Sequence, residues 1–111
     1  MKLLFAKTFK FSASHEKNGK VYGHNYLLTI TTDMMDEARQ DLFETRVEEG
    51  LISQVHTKDL GTHVSFLKGM DISGENLLRA FAKIAEGLVH PAKIYALSLE
   101  RDSLTKVTLT L

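Results

Sequence analysis

Residues 11–26 read F-S-A-S-H-E-K-N-G-K-V-Y-G-H-N-Y and contain a reversal of the chain between two strand-like runs. Asn18 and Gly19 tolerate positive φ, which a tight turn between antiparallel strands requires. His15 ends the first run and His24 begins the second. The hairpin is therefore predicted to bring His15 and His24 together.

Strand alternation predicts which way these side chains point, because residues two apart share a face of a sheet. His15 shares a face with Phe11, and His24 shares a face with Tyr26. Tyr22 lies on that same, more apolar face. Two interpretations stay open at this point: a buried cluster of two imidazoles and one phenol, or a metal site.

Four segments show the alternation of half-buried strands. The first runs from Lys2 to about His15, and the second runs from about Tyr22 to Thr32. A third begins at Ala92, and a fourth spans Leu104 to Leu111 after a turn at residues 102–103. The residues of the first strand predicted to point inward are Leu3, Phe5, Phe9, Phe11 and Ala13. In the third strand, alternation predicts that Tyr95, Leu97 and Leu99 share one face, opposite Ile94.

Two helices separate the strand pairs. An apolar stripe with helical spacing predicts a first helix that is broken or frayed near Gly50; it comprises Met35, Ala38, Leu42 or Phe43, Val47, Leu51 and Val55. Ser73 is a suitable N-cap for a second helix that ends before Pro91. The order ββααββ predicts the α+β class, with an antiparallel sheet and both helices on one of its faces.

Composition narrows the functional classes. A chain of 111 residues predicts a single domain, 1–111. The 14 basic and 14 acidic residues cancel, which argues against nucleic acid or an anionic membrane as a partner. The absence of cysteine rules out disulfides within the chain and thiolate chemistry. No apolar run is long enough to cross a bilayer or to serve as a signal peptide, so we expect a cytoplasmic protein.

The hairpin resembles the 6-pyruvoyl-tetrahydropterin synthase and 6-carboxytetrahydropterin synthase family. Members carry F-S/E-A-A-H and H-G-H-N-Y, where this chain has F-S-A-S-H and Y-G-H-N-Y. The resemblance implies zinc held by three histidines, of which His15 and His24 are present and Tyr22 stands at the third position. It also implies sheets that join into an oligomeric β-barrel, as a homotrimer or homohexamer.

Three weaker matches extend the resemblance along the chain. His63 falls at the family's catalytic histidine, Ser73 lies in its P-T-x-E-N segment, and Glu100 falls at its pterin-anchoring glutamate. Each residue also has a simpler interpretation: a loop cap, a helix cap and a solvent-facing strand end, respectively. Thr62 replaces the aspartate partner of the catalytic histidine, and Asn18 replaces the catalytic cysteine.

These departures leave several functional hypotheses. The first is a pterin-processing enzyme of altered mechanism, with His63 or Glu16 as the base and with zinc completed by Tyr22, a carboxylate or water. The second is a non-catalytic binder of pterins or purines that keeps Glu100 and has lost the metal. The third is a structural role without a ligand. In the first two, Glu100 accepts parallel hydrogen bonds from the amidine edge of the ring.

Overall fold

The computed structural model describes residues 1–111 and confirms the α+β class. The four strands form one antiparallel sheet in the order β1-β2-β3-β4. A single core of 23 buried residues joins the sheet to the helices that cover one of its faces. The elements are β1 (Leu4–Lys17), β2 (Lys20–Asp33), α1 (Glu37–Val47), a π-helical segment (Glu48–Ile52), α2 (Ser53–Val55), a 3-10 turn (Ser65–Leu67), α3 (Gly74–Val89), β3 (Ile94–Arg101) and β4 (Thr105–Thr110).

The predicted hairpin turn is confirmed. Asn18 and Gly19 both have positive φ, 53° and 77°, and β1 and β2 pair without interruption from Lys17↔Lys20 to Leu4↔Asp33. Both strands extend beyond the predicted bounds towards the turn. This unbroken register fixes the face of every residue between the histidines and the core.

One expectation about β1 is wrong, and one residue departs from the apolar pattern of the strand. Leu3 was predicted to point inward, but it precedes the first paired residue and is 77% exposed. Lys7 lies on the core-facing side of the strand, where its charge interrupts the apolar pattern. Its Nζ lies 3.4 Å from a carboxylate oxygen of Glu44 in α1, so the charge is paired at the margin of the core.

The alternation predicted for β3 is wrong at its start. Thr31 pairs with Ala96 and Thr32 pairs with Ile94, so Tyr95 is an extra residue in the ladder. The bulge turns Ile94 into the core, on the same face as Leu97 rather than opposite to it. The hydroxyl of Tyr95 donates instead to Asp33, at 2.9 Å.

Gly50 does not break or fray the first helix. The backbone continues from α1 through the π-helical segment into α2. A Cβ at position 50 would lie 2.5 Å from Leu88 of α3, so glycine permits the two helices to approach closely. The predicted stripe is buried at Phe43, Val47, Leu51 and Val55, whereas Leu42 and Ala38 are exposed.

The free edge of β1 is covered along part of its length. Ser12 and Ser14 form backbone hydrogen bonds with Thr57, Lys58 and Leu60. This contact fixes the loop that follows α2 and places Asp59 beside Ser14. None of the helices is both long and apolar enough to span a membrane.

Candidate functional site

The two histidines and Tyr22 converge on the core-facing side of the β1–β2 hairpin. The ring centroid of His15 lies 5.3 Å from that of His24 and 5.9 Å from that of Tyr22. The rings of Tyr22 and His24 are parallel to within 2°. His15 pairs directly across the strands with Tyr22, so the cluster follows from the hairpin register that the sequence predicts.

His15 is the most enclosed member of the cluster. Its residue is 7% exposed, and its buried Nδ1 has no hydrogen-bond partner. Burial lowers the pKa of His15, and the nearby charges of His24 and Arg101 lower it further. Burial and these charges therefore favour the neutral form of His15.

His24 is oriented by the carboxylate of Asp102, a residue for which the sequence predicted only a place in a turn. Its Nδ1 lies 2.6 Å from Oδ2 of Asp102. The other oxygen of Asp102 accepts a hydrogen bond from the backbone N–H of Asn25 at 2.8 Å. The Asn25 bond and the His24 bond lower the pKa of Asp102. The carboxylate stays ionised and fixes the orientation of the imidazole.

A zinc site with three protein nitrogen ligands does not fit these residues. No three or more His, Cys, Asp or Glu side chains are grouped so that they could hold a metal ion. Tyr22 adds only a phenol, which must lose its proton to bind a metal well. The guanidinium of Arg101 also contributes positive charge near His15, which opposes a divalent cation.

His63 belongs to a separate polar chain in the loop after α2. The Thr62 hydroxyl donates to Asp59 at 3.0 Å and lies 3.3 Å from Nδ1 of His63. Burial works to raise the pKa of Asp59, but hydrogen bonds from Thr62, Gly61 and Ser14 outweigh it and lower the pKa. The hydroxyl of Thr62 therefore lies between the carboxylate of Asp59 and the imidazole of His63.

The remaining predicted residues divide between the two faces of the sheet. Glu16 is exposed on the face opposite His15, so the structure does not bring it to the histidines. Glu100 is half-buried, and it also lies on the opposite face, because its neighbour Leu99 points into the core. Ser73 lines the same cavity as His15.

Comparison with known proteins identifies the fold. No protein-family model matches the chain, and no curated protein matches it in sequence. Among solved structures, it is similar to 6-pyruvoyl tetrahydropterin synthase of Caenorhabditis elegans, with a TM-score of 0.81 and 14% identity over 97% of this chain and 94% of that one. An uncharacterized protein of Wolinella succinogenes gives a TM-score of 0.67 and 11% identity, covering 99% and 98% of the two chains. The chain therefore has the fold of a 6-pyruvoyl tetrahydropterin synthase.

Proposed function

We propose that the protein binds a pterin, of the dihydroneopterin triphosphate class, and that Glu100 anchors the ring. The observation that carries this proposal is the similarity of fold to a pterin synthase over nearly the whole chain. Glu100 occupies the position in β3 that matches the family's anchoring glutamate. It pairs across the strands with Leu27 and Lys106.

The chemistry of Glu100 suits an amidine edge. Its carboxylate makes no ion pair or side-chain hydrogen bond in the chain, so both oxygens are available to a ligand. A carboxylate accepts two parallel hydrogen bonds from the ring N–H and exocyclic amine of a pterin. Such charge-assisted bonds contribute about 1.5 to 3 kcal/mol each.

Calorimetric titration of neopterin and biopterin at pH 7 tests the proposal. We expect saturable binding to the wild type and at least about tenfold weaker binding to Glu100→Gln, because Gln replaces one acceptor oxygen with an N–H₂ donor that faces a donor of the ring. Glu86→Gln, an exposed carboxylate on α3, is the matched control. Equal affinity of wild type and Glu100→Gln would exclude Glu100 as the anchor, and the absence of binding to all three would favour a role without a pterin.

A second candidate function is proton abstraction from the bound pterin, which the Asp59–Thr62–His63 chain favours. When the Thr62 hydroxyl donates to Asp59, its oxygen can accept a hydrogen bond from a protonated Nδ1 of His63. That tautomer leaves Nε2 of His63 unprotonated and able to act as a general base.

Release of triphosphate from dihydroneopterin triphosphate measures this activity directly. We expect His63→Gln to abolish turnover and Thr62→Val to lower the turnover number with little change in binding of the substrate, because Val keeps the shape and removes the hydroxyl. A wild type that binds the pterin and releases no triphosphate would leave binding as the only function.

We further propose that the protein is a homo-oligomer formed by edge pairing of strands. β4 is an open edge strand that is mostly exposed, and the half of β1 nearest the N-terminus is also open. Open edges favour pairing with another chain. Sedimentation at micromolar concentration should show a species larger than a monomer, and a monomer alone would contradict the proposal.

A further inference from the structure

One row of residues crosses all four strands on the open face of the sheet, the face opposite the helices. Lys10 pairs with Leu27, Leu27 pairs with Glu100, and Glu100 pairs with Lys106. Residues that pair directly across strands share a face, and neighbouring strands lie about 4.8 Å apart. Glu100 therefore has an apolar side chain on one side and an ammonium group on the other.

We propose that Lys106 determines which rings the Glu100 site accepts, by donating a hydrogen bond from its ammonium to the 4-oxo group of a 2-amino-4-oxo ring. This inference rests on the proposed function, in which Glu100 anchors the ring. It assigns the selectivity of that site to a second residue, on a different strand. Rings that carry a 4-amino group in place of the 4-oxo group are excluded.

The first support is the state of the two charged groups. Glu100 and Lys106 are direct cross-strand partners, yet neither forms an ion pair in the chain. Glu100 is half-buried, whereas Lys106 is exposed and has a long flexible side chain. An ammonium is a donor only, and a carboxylate is an acceptor only. The pair thus offers a ligand both kinds of charged partner at adjacent positions.

The second support is Leu27, a half-buried apolar residue on a polar surface. Its neighbours on the same face of β2 are Asn25 and Thr29, and its cross-strand partners are Lys10 and Glu100. A cavity of about 490 Å³ adjoins Leu27, with Lys10 and Asn25 also in its lining. Ligand pockets measure about 300 to 1,000 Å³, so a flat ring can pack on Leu27 with one edge at Glu100.

The third support is the order of donors and acceptors along the ring edge. In a 2-amino-4-oxo ring, the two donors that a carboxylate accepts from lie directly beside the oxo oxygen. The complementary surface is therefore a carboxylate with a donor next to it, which Glu100 and Lys106 provide. A 2,4-diamino ring turns an amino donor towards the ammonium, and two facing donors leave each other unsatisfied. The ammonium also repels a diamino ring that takes up a proton beside the carboxylate.

Calorimetric titration with two rings, pterin and 2,4-diaminopteridine, tests the role of Lys106. We expect the wild type to bind pterin at least about tenfold more tightly than the diamino ring. Lys106→Met should lower this preference by at least about tenfold, because it removes the charged donor and keeps most of the side-chain length. The readout is the ratio of the two affinities, since a change in folding or assembly would weaken both rings alike.

Two further variants control the experiment. Lys106→Arg keeps a charged donor and should keep the preference for pterin, and Lys83→Met, at an exposed lysine of α3, should have the wild-type ratio. Lys106 is itself exposed, so its replacement should not impair folding. A wild-type ratio in Lys106→Met, or an equal loss in Lys83→Met, would overturn this inference and leave Glu100 as the anchor. A wild type that prefers the diamino ring would do the same, whereas no binding of pterin to the wild type would overturn the proposed function as well.

Discussion

Nδ1 of His24 and Oδ2 of Asp102 lie 2.6 Å apart and join β2 to the turn between β3 and β4. The same carboxylate accepts from the Asn25 N–H, and the Asp102 N–H donates to the Asn25 carbonyl. The turn is thus held on β2 by three hydrogen bonds through one residue. Asp102 therefore has both a structural role and a role in orienting His24.

The first prediction concerns the ionisation of Asp102. In His24→Phe the pKa of the Asp102 carboxyl should rise towards its usual value, because one of the hydrogen bonds that lower it is lost. It should remain below the usual value, since the Asn25 N–H, the larger cause, still donates. Carbon-13 NMR titration of the carboxyl measures the shift. His63→Phe is the control, and an unchanged midpoint in His24→Phe would contradict the geometry.

The second prediction concerns the pH dependence of folding. Burial lowers the pKa of His15 in the folded state, so its neutral form favours folding. The free energy of unfolding should therefore fall as the pH drops below about 6.5, the unfolded value, and level off below the folded pKa. Urea unfolding at a series of pH values measures this loss. The loss should be smaller in His15→Gln than in wild type, and parallel curves would show that His15 is not the group responsible.

The third prediction compares two glycines. Gly50→Ala should destabilise the fold by about 0.5 to 1.5 kcal/mol, because the new Cβ meets the end of the half-buried Leu88 side chain and forces it away from its preferred rotamer. Gly87→Ala in α3 has nothing within 4 Å of its new Cβ and should stabilise the fold by about 0.4 to 1 kcal/mol. Chemical denaturation measures both. Adding Leu88→Ala to Gly50→Ala should recover part of the loss, and equal effects of the two glycine changes would refute close packing at Gly50.

The fourth prediction concerns zinc. Tyr22→His should bind Zn²⁺ more tightly than wild type, because a neutral imidazole avoids deprotonation of a phenol, which costs about 4 kcal/mol at neutral pH. Val21→His is the matched control, since Val21 lies on the opposite face of β2. Competition with a chromophoric chelator measures both affinities. Equal affinities of the two variants would show that Tyr22 does not point towards the metal.

The hairpin and its histidine cluster could be predicted because local rules determine them. Asn18 and Gly19 fix the turn, and period-two alternation then assigns every side chain between Phe9 and Leu28 to a face. The fold class followed from the same reasoning, since strand and helix periodicities are local. The helix start at Ser73 was equally local, because the cap oxygen of Ser73 and the Asn76 N–H that donates to it lie within four residues.

The features that could not be predicted from the sequence depend on contacts between segments that are far apart along the chain. Asp59 reaches Ser14 only because the loop after α2 pairs with the edge of β1, and no pattern within the loop indicates that pairing. The hydrogen bond between Asp102 and His24 could not be predicted, because the two residues lie 78 positions apart in the sequence. The proximity of Arg101 to His15 could not be predicted either, because β1 and β3 are not neighbours in the sheet and only the folded structure brings the two side chains close.

Because of the bulge at Tyr95, the face of the sheet on which each residue of β3 lies depends on how many residues precede it as well as on its chemistry. Ile94 and Leu97 both face the core although three positions separate them. Deletion of Tyr95 would leave Ile94 and Leu97 two positions apart, and both would still face the core. Regular pairing with Tyr95 retained would instead force a choice: either Ile94 leaves the core, or every later residue of the strand changes face. In the second case the carboxylate of Glu100 and the guanidinium of Arg101 would exchange sides. The bulge around one uncharged residue therefore determines which charge each side of the sheet presents.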